Sequence, residues 1–316
     1  MPDLVLWKHV WAAGLLAAAA ALTFAPASAQ GAAGHNALGH DAPGHDAIPD
    51  FTAPGTGWTM INSNATDYVD PAAGPKPVTN DPKYPHVGNL QPGQKTERVA
   101  DLTNPILQDW VKPQMRKYNQ EVIAGTIPFV ATSLCYPGGV PAQLLVPTTM
   151  YFIQKPDEVI MIWERDQLVR HVYLNTQHTK NPRPTWFGES VGHYENGDTL
   201  VIDTIGFVEH PLSFVDNYRT PHTKQLHVTE RWKITNVPGG GRRAGGNAAG
   251  ADVPGIKGIE VTFTVEDPGA FTMAWGGMMR YRNEKSALEE FVCAENNGGH
   301  FAAEKYEMPV ANKPDF

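Results

Sequence analysis

From residue 148 onward, apolar side chains recur at every second position in short runs separated by Gly, Pro, Asn and Asp, which is the pattern of β-strands joined by tight turns. The runs predict strands over 149–154, 158–164, 168–174, 190–195, 199–207, 225–236, 258–266, 271–282 and 288–294. Their connections include Lys155-Pro156-Asp157, Asn196-Gly197-Asp198 and Asp267-Pro268-Gly269, whose backbone preferences favour turns. So many short strands at this spacing point to a mainly β meander, closed as an antiparallel up-and-down barrel or folded as a sandwich. Closure is favoured because it leaves no exposed strand edge. One helix is expected before the strands, with Asn104 as N-cap, Pro105 opening it, Gly125 just past its end, and Pro113 kinking it.

The segment 30–100 carries no sustained period of either 2 or 3.6 and is rich in Pro, Gly, Ala, Asn and Asp. It is expected to be a flexible tail, since such a composition buries too little apolar surface to order itself. Residues 1–29 have a lysine, an Ala/Leu-rich apolar stretch and Ala27-Ser28-Ala29 before Gln30, the layout of a secretory signal peptide. The expected organisation is therefore a signal peptide over 1–29, a tail over 30–100 and a β-barrel domain over 101–316. The apolar stretch is too short to span a bilayer, so no membrane insertion is expected after cleavage, and a periplasmic or secreted location follows.

The alternation also exposes charges in phase with apolar neighbours. Glu230 alternates with Leu226, Val228, Trp232 and Ile234; Arg170 with Leu168, Val172 and Leu174; Glu164 follows Ile160 and Ile162; Asp203 sits between Val201 and Ile205. An unpaired charge on a core face is prohibitively costly, so these groups must pair with one another or line a wet cavity. If they converge at one mouth of the barrel, they form a polar pocket; if not, they are internal ion pairs that fix register. Near them in sequence lie His178, His193, His222 and His227, and imidazole beside carboxylate is apparatus for moving protons at neutral pH. Trp186 and Tyr173 are candidate ligand contacts beside them, with Glu164 and His193. Gly188-Glu189-Ser190-Val191-Gly192 spells G-x-S-x-G, but it runs into a β pattern rather than a strand-to-helix elbow, so Ser190 reads as a strand or turn residue. No HExxH zinc signature or phosphate loop is present.

The net charge of −8 comes without clustered Lys/Arg beyond the pair Arg242-Arg243, so no nucleic-acid footprint is expected. Arg242 and Arg243 sit in a glycine-rich insertion, 239–250, between two predicted strands. The two cysteines, Cys135 and Cys293, form a disulfide if the chain meets an oxidising compartment, and closing so long a loop contributes roughly 4 kcal/mol in the chain-entropy view. Two separate buried thiols are the alternative. A short repeat in the tail places His35, His40 and His45 in Gly-His units; these are candidate weak ligands for a divalent metal, or simply solubilising low complexity.

Several stretches together resemble a family of exported bacterial β-rich proteins. They are Arg170-His171-Val172-Tyr173-Leu174, the run Pro184 to Gly192, the run Gly197 to Phe207, Pro221-His222-Thr223, the run Leu226 to Arg231, Glu266-Asp267-Pro268, and Val292-Cys293-Ala294-Glu295-Asn296. The resemblance implies a domain like the lipocalin-type barrels and supplies no reaction. The His-bearing tail and the glycine-rich insertion depart from the family's pattern.

The expectation that follows is an exported barrel enzyme acting on a small, partly apolar molecule by general acid/base chemistry, as an isomerase, lyase or hydrolase. Glu230 or Asp203 would be the base, His178, His222 or His227 would carry protons, and Arg170 would stabilise negative charge. No organic cofactor is expected. The alternative is a non-catalytic carrier of an apolar ligand or a metal, in which the same polar groups only orient the bound molecule.

Overall fold

In the computed structural model, residues 48–52, 56–61, 67–86, 98–126, 129–237 and 255–293 are described. Nine strands close into one barrel in chain order: β1 Thr56–Met60, β2 Met150–Gln154, β3 Glu158–Trp163, β4 Leu168–Leu174, β5 Glu189–Glu195, β6 Thr199–Ile205, β7 His227–Val237, β8 Ile256–Glu266 and β9 Trp275–Lys285. Every pair is antiparallel except β4 and β5, which run parallel over Val172 to Leu174 against Ser190 to Gly192. The barrel is therefore mixed, and the loop 175–188 must cross back along it to make the parallel join, which the expected up-and-down meander would not need.

Alternation decides what fills the barrel. The inward residues are Trp58, Phe152, Trp163, Trp232, Phe263, Trp275 and Tyr281 with Val, Ile, Leu and Met between them, all in one buried cluster. Trp232 stacks on Tyr281 with ring centres 6.1 Å apart, and Phe152 meets Trp232 edge-on at 5.7 Å. The interior is thus a packed core; at roughly 1.5–3 kcal/mol for burying each large apolar side chain, it is the main source of stability.

Three expectations are corrected. The segment 30–100 is not wholly a tail: Thr56–Met60 pairs with β9 from Thr56 opposite Lys285 to Met60 opposite Tyr281, and so closes the barrel. The expected strand over 288–294 does not form among its described residues. There the chain instead ties itself to the turn after β3, with Asp166 N donating to Phe291 O at 2.9 Å and Cys293 N to Asp166 Oδ1 at 2.6 Å. The helix, α1, begins later than Asn104 and spans Val111–Ile123. Asn104 Oδ1 accepts the Ile106 amide at 3.1 Å in a tight turn, and Pro113 falls in the first helical turn, where its missing N–H costs nothing and it opens the helix rather than kinking it. Gly125, at φ +88°, does lie just past the end.

Cys135 and Cys293 are joined. This fits a non-reducing compartment, and no helix among the described residues is long and apolar enough to cross a membrane.

Candidate functional site

The four in-phase charges do not share a cavity. Arg170 and Glu230 point into the barrel from β4 and β7, are 2% and 0% exposed, and bind each other: Nη2 donates to Oε2 at 2.5 Å and Nη1 to Oε1 at 3.2 Å. The rest of the guanidinium is spent on Ser190 Oγ, 3.1 Å from Nε, and Thr204 Oγ1, 2.9 Å from Nη2. Those two hydroxyls also bond each other at 3.1 Å. A satisfied, dry ion pair leaves no valence for a substrate, so the roles expected of Arg170 and Glu230 are not supported; they are a core clamp across β4, β5, β6 and β7. Ser190 is one of its strand residues.

Asp203 faces outward. Leu200, Val201 and Ile202 are all buried, so β6 is apolar on both faces and its alternation carries no directional signal. Glu164 lies beyond the end of β3, where its Oε2 is 3.4 Å from the Thr149 amide. His193 is outward on β5 and pairs with Glu195 at 2.9 Å, while Tyr173 is half exposed on β4 beside His171. Trp186 stacks on Tyr136, ring centres 4.9 Å apart, with His210 at 5.1 Å. His35, His40 and His45 lie outside the described residues, and the described ones contain no group of His, Cys, Asp or Glu arranged to hold a metal.

The structure does bring together Asp203, His178 and His227, and adds two carboxylates. Asp203 Oδ1 meets His178 Nε2 at 2.7 Å and Oδ2 meets His227 Nε2 at 2.6 Å. Beyond each ring lies a further carboxylate, Glu189 Oε1 at 3.1 Å from His178 Nδ1 and Glu266 Oε2 at 3.2 Å from His227 Nδ1. Carboxylate and imidazole thus alternate five deep, Glu189, His178, Asp203, His227, Glu266, over the outer wall of β5 to β8. Register explains it: Asp203 stands opposite Val191 and Thr229, and His227 opposite Glu266. His178 arrives from the crossing loop, held by Thr179, whose N–H and hydroxyl both donate to Glu189 at 2.7 and 2.9 Å. Gly206, at φ +75°, lets the chain turn under that loop, where a Cβ would come 2.9 Å from Pro182.

Partial burial alone would raise the Asp203 carboxyl, but hydrogen bonds from His227 and His178 and their charge prevail and hold it at about 2. The Asp203 hydrogen bond, against some desolvation, raises His227, and Glu266 adds to it. Burial works against the ionised Glu189, yet donation from Thr179 and His178 lowers it. All five side chains keep solvent access, from 19% for His178 to 54% for Glu266.

Two members of the array give no signal in the sequence. Glu189 is hidden beside Ser190, on the opposite face of the same strand, and Glu266 ends a strand of ordinary alternation; nothing short of register reveals either. His222, which sequence reasoning groups with these, lies apart from the array, its ring on Ser213 and Thr223. No known protein family, curated protein or solved structure matches the chain.

Proposed function

We propose that the protein is an exported enzyme, periplasmic or secreted, that moves protons on a small molecule through the Glu189–His178–Asp203–His227–Glu266 array, with isomerase, lyase or hydrolase chemistry. The observation that supports this most is Asp203: one carboxylate, open to solvent, shared by two imidazoles whose far nitrogens each meet another carboxylate. Elsewhere on the same wall, charges form a smaller group of Glu195 with His193 and Arg231, and a simple pair of Lys233 with Asp198. Asp203 and Glu266 hold the raised His227 ring between them, so a proton enters or leaves it through the solvent-open Glu266 carboxylate, the member of the array a substrate reaches. The alternative is a non-catalytic carrier of an apolar ligand or a metal, in which the same polar groups only orient the bound molecule; the four tryptophans Trp58, Trp163, Trp232 and Trp275 packed inside the barrel favour the enzyme over a carrier of an apolar ligand.

The test uses a proton-abstraction probe, 5-nitrobenzisoxazole, whose ring opening needs only a positioned base. Saturable turnover above the rate of equimolar free imidazole is expected. It should fall about 100-fold in His227→Gln and Asp203→Asn, within the range that general acid/base groups contribute. Its pH profile should follow the His227 titration read by NMR. Wild-type turnover no faster than imidazole, or variants as active as wild type, would overturn the proposal.

A further inference from the structure

A serine and a histidine outside the array meet in the segment joining β6 to β7. Ser213 Oγ lies 2.8 Å from His222 Nε2, and His222 Nδ1 lies 3.0 Å from the Thr223 carbonyl oxygen. A carbonyl oxygen only accepts, so Nδ1 carries the proton of that bond. Burial pushes the ring below its ordinary 6.5, against the Thr223 bond and the charges of Asp267 and Glu209, so near pH 7 it is neutral and Nε2 presents a lone pair to the serine hydroxyl. That is the tautomer a base needs in order to activate a nucleophile, and it is held from behind. Asp267 grips Thr223 through both carboxylate oxygens, at 2.6 Å from the amide and 2.7 Å from the hydroxyl.

The same turn reaches an aromatic surface. Ser213 N donates to the His210 carbonyl at 2.8 Å, and the His210 ring sits 5.7 Å from Tyr136 and 5.1 Å from Trp186. His210 Nδ1 accepts the Leu212 amide at 3.1 Å, so the N–H of the ring is at Nε2, where no hydrogen-bond partner stands among the described residues. Tyr136 is 42% exposed. A flat group can lie against these rings, with a free N–H donor three residues from the hydroxyl.

We propose that Ser213 is an acyl-accepting nucleophile activated by His222, and that the site takes carboxylic esters bearing an aromatic acyl group. Ser213 Oγ bonds to the ester carbonyl carbon as its proton passes to His222 Nε2. The bond to the leaving alkoxide then breaks and that oxygen takes the proton from His222. Water adds to the acyl-serine, giving one proton to His222, and the collapse releases the acid and returns that proton to Ser213. No oxidant, metal or co-reactant is required. The site is independent of the acid/base array, none of whose residues it uses.

Ser213 is only 6% exposed, so a small reagent is the right probe. The full chain is treated with diisopropyl fluorophosphate at pH 7.5, and the adduct is located by fragmentation of the tryptic peptide that carries both Ser190 and Ser213. The expected result is one adduct, on Ser213, absent in Ser213→Ala, formed about 100-fold more slowly in His222→Gln and unchanged in rate in His193→Gln, whose ring pairs with Glu195 away from both sites. Release of 4-nitrophenol should be faster from 4-nitrophenyl benzoate than from the acetate, and should be lost in Ser213→Ala. No adduct, an adduct on Ser190 or elsewhere, or a rate unaffected by His222→Gln would overturn the proposal. Because the adduct is located in the wild-type chain, the experiment decides the question even if Ser213→Ala does not fold.

Discussion

Glu230→Gln should cost stability far out of proportion to its size. The substitution keeps the shape and one acceptor, but it removes the negative charge facing a guanidinium that is 2% exposed and has no route to water. Breaking a buried pair from one side costs about 3–5 kcal/mol, because the remaining ion stays desolvated without its partner. That is a large part of the ~5–15 kcal/mol by which domains are stable. At a urea dependence of about 3 kcal/mol per M, the unfolding midpoint should fall by about 1–1.7 M. Four fully buried tryptophans, Trp58, Trp163, Trp232 and Trp275, supply the fluorescence signal. The decisive comparison is Arg170→Met with Glu230→Leu in one chain. Both charges then leave, and the Ser190 and Thr204 hydroxyls still have each other at 3.1 Å. The double variant should therefore be more stable than Glu230→Gln, with a coupling of at least about 2 kcal/mol between the two sites. A loss under about 1 kcal/mol for Glu230→Gln, or simple additivity in the double variant, would show that the clamp is solvated or bonded differently from the arrangement described.

The array should leave a pH signature on stability. His227 is raised, so its contribution is present in full below 6.5 and is lost as pH rises through the raised value; Asp203 is depressed to about 2, so its contribution is present above 3.8 and is lost as pH falls toward 2. Asp203→Asn should thus lower the Tm most near pH 5 and least near pH 9, by the equivalent of no more than about 1 kcal/mol, since these side chains are open to solvent; a deficit equal at both pH values would refute the assignment. Gly206→Ala should cost about 1–2 kcal/mol through its left-handed backbone and the contact with Pro182, and should disturb the His178 resonance while leaving that of His193 in place; an unshifted His178 would mean that the loop is not held there.

Much of the barrel is legible in the sequence because its strands obey one rule. Seven of the nine carry apolar residues in phase with turn residues between them, and Asn196 and Gly197, both at positive φ, make the hairpin that their sequence advertises. β1 is invisible because five residues, Thr56–Met60, sit among prolines and glycines, and their place is decided by a partner at the far end of the chain. The run Leu288 to Cys293 alternates like a strand, but β1 already occupies the edge of β9 that it would have joined. For the site, in-phase charges are a sound signal where the strand has one dry face: Glu230 and Arg170 are inside as expected. The signal fails on β6, whose two faces are both apolar. Alternation therefore directs attention to the buried pair, whereas the accessible chemistry lies on the wall outside it. Ser213 gives no signal at all, since a serine among Pro, Leu and Phe shows its histidine only once the chain has turned back.

Barrel closure has a consequence for the order of events in assembly. The first strand, at Thr56, waits for the last, at Lys285, and the covalent link between Cys135 and Cys293 spans most of what lies between. A chain emerging from one end cannot complete its hydrogen-bonded ring until nearly all of it has emerged, so slow, late, cooperative ring formation is built into the connectivity.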